Sequence, residues 1–176
     1  MIDLFIKSSL NPKRFVLFFG ILYWLCTSGT AISAPVAQIF VLHSYSQEYS
    51  WTKGQNEGFL SALAEEPDIA TNICTEYLDT KRHDYDKAYA DEVEHFIQIK
   101  YAGYKPTAIY VTDDDALIFA RDRLARLFPN APVFYSGINN SELLTTLDPA
   151  HFTGVFEHKE IAPNLDLILD MDKNAN

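Results

Sequence analysis

The residues best suited to chemistry in this sequence are polar side chains that directly follow short apolar runs. They are Ser44, Tyr45 and Ser46 after one run, Asp113, Asp114 and Asp115 after another, and the segment 136–140, with Ser136, Gly137 and Asn139, after a further one. Hydroxyl, amide and carboxylate groups of this kind can hydrogen-bond a small polar solute. Tyr45, Tyr49 and Trp51 could stack on a flat or sugar-like ligand. These groups form one site only if the elements that carry them end at the same place.

The apolar runs alternate with segments of helical period, and this alternation predicts the fold. Runs typical of strands buried on both faces occupy 38–42, 69–77, 108–112, 132–135 and 152–156. Helices are predicted over 50–64, 84–101, 116–128, 141–147 and 160–171, with Ser50 and Asp115 as N-caps and Glu94 on a water-facing side. We therefore expect an α/β fold, a doubly wound parallel five-stranded sheet with helices on both faces.

The predicted sheet brings the polar groups together. In an open parallel sheet, ligands bind beyond the carboxyl ends of the strands. Ser44, Asp113, Gly137 and Asn139 each follow a predicted strand, and we expect the side chains of Asp113 and Asn139 to face a cleft at that edge rather than the core.

The run of three aspartates leaves an enzymatic alternative open. Hard cations prefer several oxygen ligands, so Asp113–Asp115 could serve an exported, metal-assisted enzyme. Three consecutive residues rarely all point at one ion, however, and we expect one of them to be a helix cap. The sequence has no Gly-x-Ser-x-Gly elbow and no phosphate-binding glycine loop after a strand, so we predict neither a metal nor a cofactor, and no catalytic residue.

Composition excludes several other classes of protein. The chain has 176 residues, of which 48% are hydrophobic, enough to bury a core. Its formal net charge of −10 argues against a nucleic-acid partner, which would require a basic face. Cys26 and Cys74 are too few for a disulfide scaffold.

The first 34 residues have the order of an export signal. Lys13 and Arg14 precede an uncharged apolar run over 15–26, and small residues follow. We predict a signal peptide at 1–34, cleaved after Ala31 or Ala34, and a periplasmic domain at 35–176. An uncleaved anchor in the inner membrane is the alternative.

Several segments also resemble a known family. They are Val41–Ser46, Trp51–Phe59, Glu76–Arg82, Lys105–Ala116, Phe128–Phe134 and Gly137–Asn140. Together they resemble the periplasmic ABC-transporter substrate-binding-like family, which includes the sensor domains of membrane histidine kinases and diguanylate cyclases. The resemblance runs from Ile39 to Asp172 and implies the first lobe of a type I periplasmic-binding fold, with the second lobe expected to be absent.

The resemblance implies a function and a site. The function is non-catalytic binding of a small solute, for an ABC uptake system or the sensing part of a two-component protein. The implied ligand-binding residues are Ser44, Tyr45, Asp113, Asp114, Gly137 and Asn139. A membrane permease or a sensor kinase would be the partner. Self-association through the exposed cleft edge and final helix, or an interaction lobe without a ligand, are the remaining expectations.

Overall fold

Five parallel strands form one sheet in the order β2-β1-β3-β4-β5. In this computed structural model, which describes residues 36–157 and 159–171, they are β1 (Ala37–His43), β2 (Thr71–Tyr77), β3 (Ala108–Thr112), β4 (Val133–Ile138) and β5 (Phe152–Phe156). The predicted α/β fold with a parallel five-stranded sheet is thus confirmed. The predicted signal peptide at 1–34 lies outside the described residues.

Helices connect the strands. They are α1 (Ser50–Ala64), α2 (Lys87–Lys100), α3 (Asp113–Phe119), a π-helical turn (Ala120–Leu124), α4 (Ala125–Leu127), a 3₁₀ helix (Ser141–Thr146) and α5 (Ile161–Met171). Among the residues the structure describes, none of these helices is both long and apolar enough to cross a membrane.

Several local predictions were wrong. Strand β4 runs on to Ile138, so Ser136 and Gly137 belong to the strand instead of following it. Tyr49, not Ser50, is the N-cap of α1, and it makes no side-chain capping bond. Helix α3 begins at Asp113, which places Asp115 inside its first turn rather than at its cap.

The helices cover both faces of the sheet because side chains alternate along each strand. Phe40 of β1 contacts Tyr101 and Phe128 on one face, where the main core also buries Leu42, Ile97, Ile109, Val111 and Leu124. On the opposite face His43 contacts Asn56 of α1. This arrangement fixes α1 above β1 and β3, whose ends form the candidate site.

An ion-pair network joins α2 to the π-helical turn and α4. Glu94, only 8% exposed, accepts hydrogen bonds from Arg123 at 2.9 Å and Arg126 at 2.6 Å. The prediction that Glu94 faces water was therefore wrong: helical period places it on the polar side of α2, but that side meets the arginines.

The end of the described chain exposes apolar surface. Val155 and Phe156 of β5 are more than half exposed. So are the large apolar side chains of α5, which are Ile161, Leu165, Leu167, Ile168, Leu169 and Met171. Within residues 36–157 and 159–171, α5 buries none of its side chains.

Candidate functional site

The strand order creates a crevice at the carboxyl ends of β1 and β3. The chain leaves β1 for β2 on one side and then returns to β3 on the other side of β1. In open α/β sheets, such a reversal is where ligands bind. The six predicted site residues all lie at this edge. Ser44 and Tyr45 follow β1, and Asp113 and Asp114 follow β3. Gly137 is the second-to-last residue of β4, and Asn139 comes directly after that strand.

Ser44 is a structural cap rather than an open ligand contact. Its side chain is fully buried. Its Oγ donates to the carbonyl of Thr112 at 2.8 Å and accepts from the backbone N–H of Ala116 at 2.8 Å. The first turn of a helix leaves N–H groups without partners, and Ser44 satisfies one of them from the loop that follows β1. The resemblance implies Ser44 as a ligand-binding residue, but in this structure its hydroxyl is buried and bonded within the lobe.

Asp113 is buried beneath the crevice, with 1% of its surface exposed. Oδ1 accepts from Trp51 Nε1 and Oδ2 from Gln55 Nε2, both at 3.0 Å, so the carboxylate ties α1 to the end of β3. Its φ of 68° lies in the left-handed region, which aspartate tolerates better than most residues. The expected open-cleft position was wrong for this side chain.

Burial controls the charge of Asp113. It raises the pKa of the carboxyl from 3.8 to about 6, against the opposing effect of the hydrogen bonds from Trp51 and Gln55. The carboxylate is thus still ionised near pH 7, but it titrates in a mildly acidic range.

Gln55 extends this network to β4. Its Oε1 accepts from Ser136 Oγ at 2.7 Å, and that hydroxyl lies 2.6 Å from the hydroxyl of Tyr110. Gly137, at a φ of 70°, passes so close that a Cβ there would lie 2.9 Å from Gln55 Oε1 and 3.2 Å from Asp113 Oδ1. Glycine is therefore required for the close approach of β4. Nothing in the sequence around Gln55 indicated this role.

The other two aspartates bind different segments. Asp114 Oδ1 accepts from the backbone N–H groups of Asn139 at 2.9 Å and Asn140 at 3.2 Å. Asp115 Oδ2 accepts from Thr80 Oγ1 at 2.6 Å, in the loop after β2. The three carboxylates therefore bind three different segments: α1, the loop after β4 and the loop after β2. In the described part of the chain, no three acidic, histidine or cysteine side chains are grouped as a metal ion would require.

His43 lies below this layer and is neutral. Its Nδ1 is 2.9 Å from Thr112 Oγ1, its Nε2 is 3.4 Å from Asn56 Oδ1, and its ring stacks on Tyr77. Burial lowers the pKa of His43 from 6.5 to about 4, because the charged imidazolium loses its hydration. It therefore does not offer a titrating base near neutral pH.

The accessible surface above this floor is aromatic. Tyr49 and Trp51 are 41% and 46% exposed, and Tyr45 is partly exposed. The rings of Tyr45 and Tyr49 meet edge to face with centroids 5.2 Å apart, and Lys81 Nζ lies 4.3 Å from the centroid of Tyr45. Burial and the three neighbouring aspartates raise the pKa of the Tyr45 hydroxyl to about 12, so it stays protonated and can donate. The sequence reasoning found Tyr45 but missed Lys81.

A cavity lies at the opposite, amino edge of the sheet. It has a volume of about 440 Å³, and its lining includes Tyr104, Pro106 and Ala131. It contains none of the predicted site residues, so it offers a clear contrast in experiments that map a bound solute.

Comparisons of the sequence with protein-family models and with curated proteins give no match. What the carboxyl edge can do must therefore be inferred from its geometry and chemistry.

Proposed function

We propose that this chain is an exported, non-catalytic lobe that binds a small solute at the carboxyl edge of its sheet. The observation that carries the proposal is an accessible aromatic surface resting on a hydrogen-bonded polar floor at the strand reversal. Trp51 and Gln55 are held by Asp113, so the floor is rigid before a solute arrives. A preorganised surface avoids part of the ordering cost of binding.

The polar groups of the floor support binding rather than catalysis. The carboxylates of Asp113, Asp114 and Asp115 each accept hydrogen bonds from a different part of the lobe. A general base must instead reach a proton of the substrate. Tyr45 and the rings of Tyr49 and Trp51 remain available to a solute. Asn139 is exposed, and its Oδ1 is also available, although its Nδ2 donates to the carbonyl of Gly137.

The biological setting follows from the predicted export signal and the family resemblance. A periplasmic solute-binding lobe would deliver its solute to a membrane permease of an ABC uptake system or report it to a sensor kinase. The strand reversal and the polar residues at its edge agree with the type I periplasmic-binding lobe that the resemblance implies.

An interaction lobe is the second candidate, and the exposed apolar surface of α5 and β5 favours it. Leu165, Leu169 and Val155 are all more than half exposed. A second copy of this chain would present the same surface, and mutual burial would remove both from water.

A thermal-shift screen separates these functions. A dissociation constant of about 0.1 mM and a solute at about 10 mM would stabilise the folded state by about 2.7 kcal/mol. For a chain of this length, the melting temperature should rise by about 5–10 °C. Tyr45→Leu should abolish the shift, whereas the matched control Phe96→Leu, an exposed ring on α2, should retain it.

Each outcome of the screen has one interpretation. Stabilisation by a solute that Tyr45→Leu removes supports the proposal. Stabilisation by Mg²⁺ or Ca²⁺ alone would instead favour the metal-assisted enzyme that Asp113–Asp115 suggested. If neither solutes nor ions change the melting temperature, the solute-binding proposal is wrong and the interaction lobe takes its place.

A further inference from the structure

The ammonium group of Lys81 lies over two tyrosine rings at the candidate site. Its Nζ is 4.3 Å from the centroid of the Tyr45 ring and 5.6 Å from that of Tyr49. A cation within about 6 Å of a ring centroid is attracted by the negative face of the ring. The two rings therefore form a cation-binding surface, which the lobe fills with one of its own side chains.

Lys81 lies over the two rings although carboxylates are close to this edge. Carboxylates are abundant near this edge: Glu48, Asp79, Asp113, Asp114 and Asp115. Arg82, the neighbouring cation, pairs with Glu48 and Asp79. Lys81, in contrast, forms no ion pair with any carboxylate in the described part of the chain, and its ammonium lies over the rings. With five carboxylates against two cations, the local field stays negative, which favours a further positive charge.

We propose that the solute is an organic cation, an ammonium compound with alkyl groups, and that Lys81 occupies its place when the solute is absent. This inference rests on the proposed solute-binding function and specifies its ligand. Ring faces favour a diffuse, weakly hydrated cation. A compact metal ion would need several converging oxygens, whereas Asp113, Asp114 and Asp115 diverge.

A solute cation can displace the Lys81 ammonium from the two rings at little cost. Lys81 is exposed, so its ammonium can leave the rings and return to water without a buried charge being formed. The rings of Tyr45 and Tyr49 are held in contact with each other and stay behind as the binding surface. Removal of the Lys81 charge should therefore strengthen the binding of a competing cation.

The test is an NMR titration of the full chain with choline at constant ionic strength. The neutral isostere 3,3-dimethyl-1-butanol has the same shape without the charge and serves as the ligand control. Choline should perturb the ring signals of Tyr45 and Tyr49, and the isostere should bind at least about twofold more weakly. Lys81→Met should tighten choline binding about two- to fivefold, the range expected for an exposed cation–π contact.

Matched variants test whether the rings and the local charge are responsible. Lys53→Met removes one positive charge from α1, where Lys53 pairs with Glu57, and should leave choline affinity unchanged. Tyr45→Phe keeps the ring face and should keep binding, whereas Tyr45→Leu should abolish it.

Failure of this inference can be told from failure of the proposed function. Equal binding of choline and its isostere, or acetate binding that Lys81→Met abolishes, would overturn the cation inference while the edge remains a solute site. If choline, the isostere and acetate all leave the Tyr45 and Tyr49 signals unchanged, the cation inference fails, and the thermal-shift screen decides separately whether the edge binds a solute.

Discussion

Replacement of Asp113 tests whether the buried carboxylate holds α1 to the sheet. Asn is nearly isosteric, tolerates a φ of 68°, can still accept from Trp51 and has no charge to bury, so Asp113→Asn should be at least as stable as the wild type at pH 7. Asp113→Ala leaves the donors of Trp51 and Gln55 without their acceptor and places a residue with a plain Cβ in the left-handed region. We expect Ala to be less stable than Asn by about 2–4 kcal/mol.

The pH dependence of the free energy of unfolding tests the buried Asp113 carboxylate more directly. The folded-state pKa of Asp113 is raised from 3.8 to about 6, so the folded state binds its proton first and stability increases as the pH falls from about 6 to 3.8. This gain is about 3 kcal/mol. The folded-state pKa of His43 is lowered from 6.5 to about 4, so its effect has the opposite sign: about 3 kcal/mol is lost over nearly the same range.

These two effects should nearly cancel in the wild type and separate in the variant. Asp113→Asn keeps the loss due to His43 but lacks the compensating gain, so its free energy of unfolding should fall relative to the wild type by about 2–3 kcal/mol between pH 7 and pH 4. Urea unfolding followed by far-ultraviolet circular dichroism at both pH values measures this difference. A difference between the two proteins that does not change with pH would refute the reasoning, as would equal stability of the Asn and Ala variants.

Four further outcomes are expected. Ser44→Ala removes the bonds to Thr112 and Ala116 and should cost about 2–3 kcal/mol in urea unfolding, while Ser46→Ala, a control in the same loop, should cost less than about 0.5 kcal/mol. N-terminal sequencing of protein from a periplasmic extract should give a start between Ile32 and Val36, and cytosolic protein that starts at Met1 would contradict export. Calorimetry on residues 35–176 should give no dissociation constant better than about 0.1 mM for any small solute, because one lobe offers one wall of a cleft. Sedimentation velocity should show self-association that Leu165→Glu on α5 reduces, and a wild type that is monomeric at high concentration would exclude it.

The sheet was predictable because buried parallel strands carry a strong local signal. Strands β3 and β5 match their predicted limits, since continuous apolar runs are bounded by polar or turn-forming residues. The extension of β4 to Ile138 could not be foreseen, because Ser136 and Gly137 are typical of turns. Their place in the strand depends on a tertiary contact, the bond from Ser136 to Gln55.

The positions of the site residues were also predictable, but their roles were not. Strand ends place Ser44, Asp113 and Asn139 at one edge, as the topology requires. The sequence does not reveal that Ser44, in the loop after β1, caps a helix that follows β3, or that Asp113 is covered by Trp51 and Gln55. Both roles arise from contacts between residues more than 50 positions apart, which local patterns do not encode.

The most direct test of the central claim is a map of backbone amide shifts on addition of a solute that raises the melting temperature. Solute binding at the carboxyl edge predicts that the largest changes occur at Tyr45, Lys81 and Asn139, on three different loops, with little change at the amino edge. Changes concentrated at Tyr104 and Ala131, beside the cavity at the opposite edge, would contradict the claim.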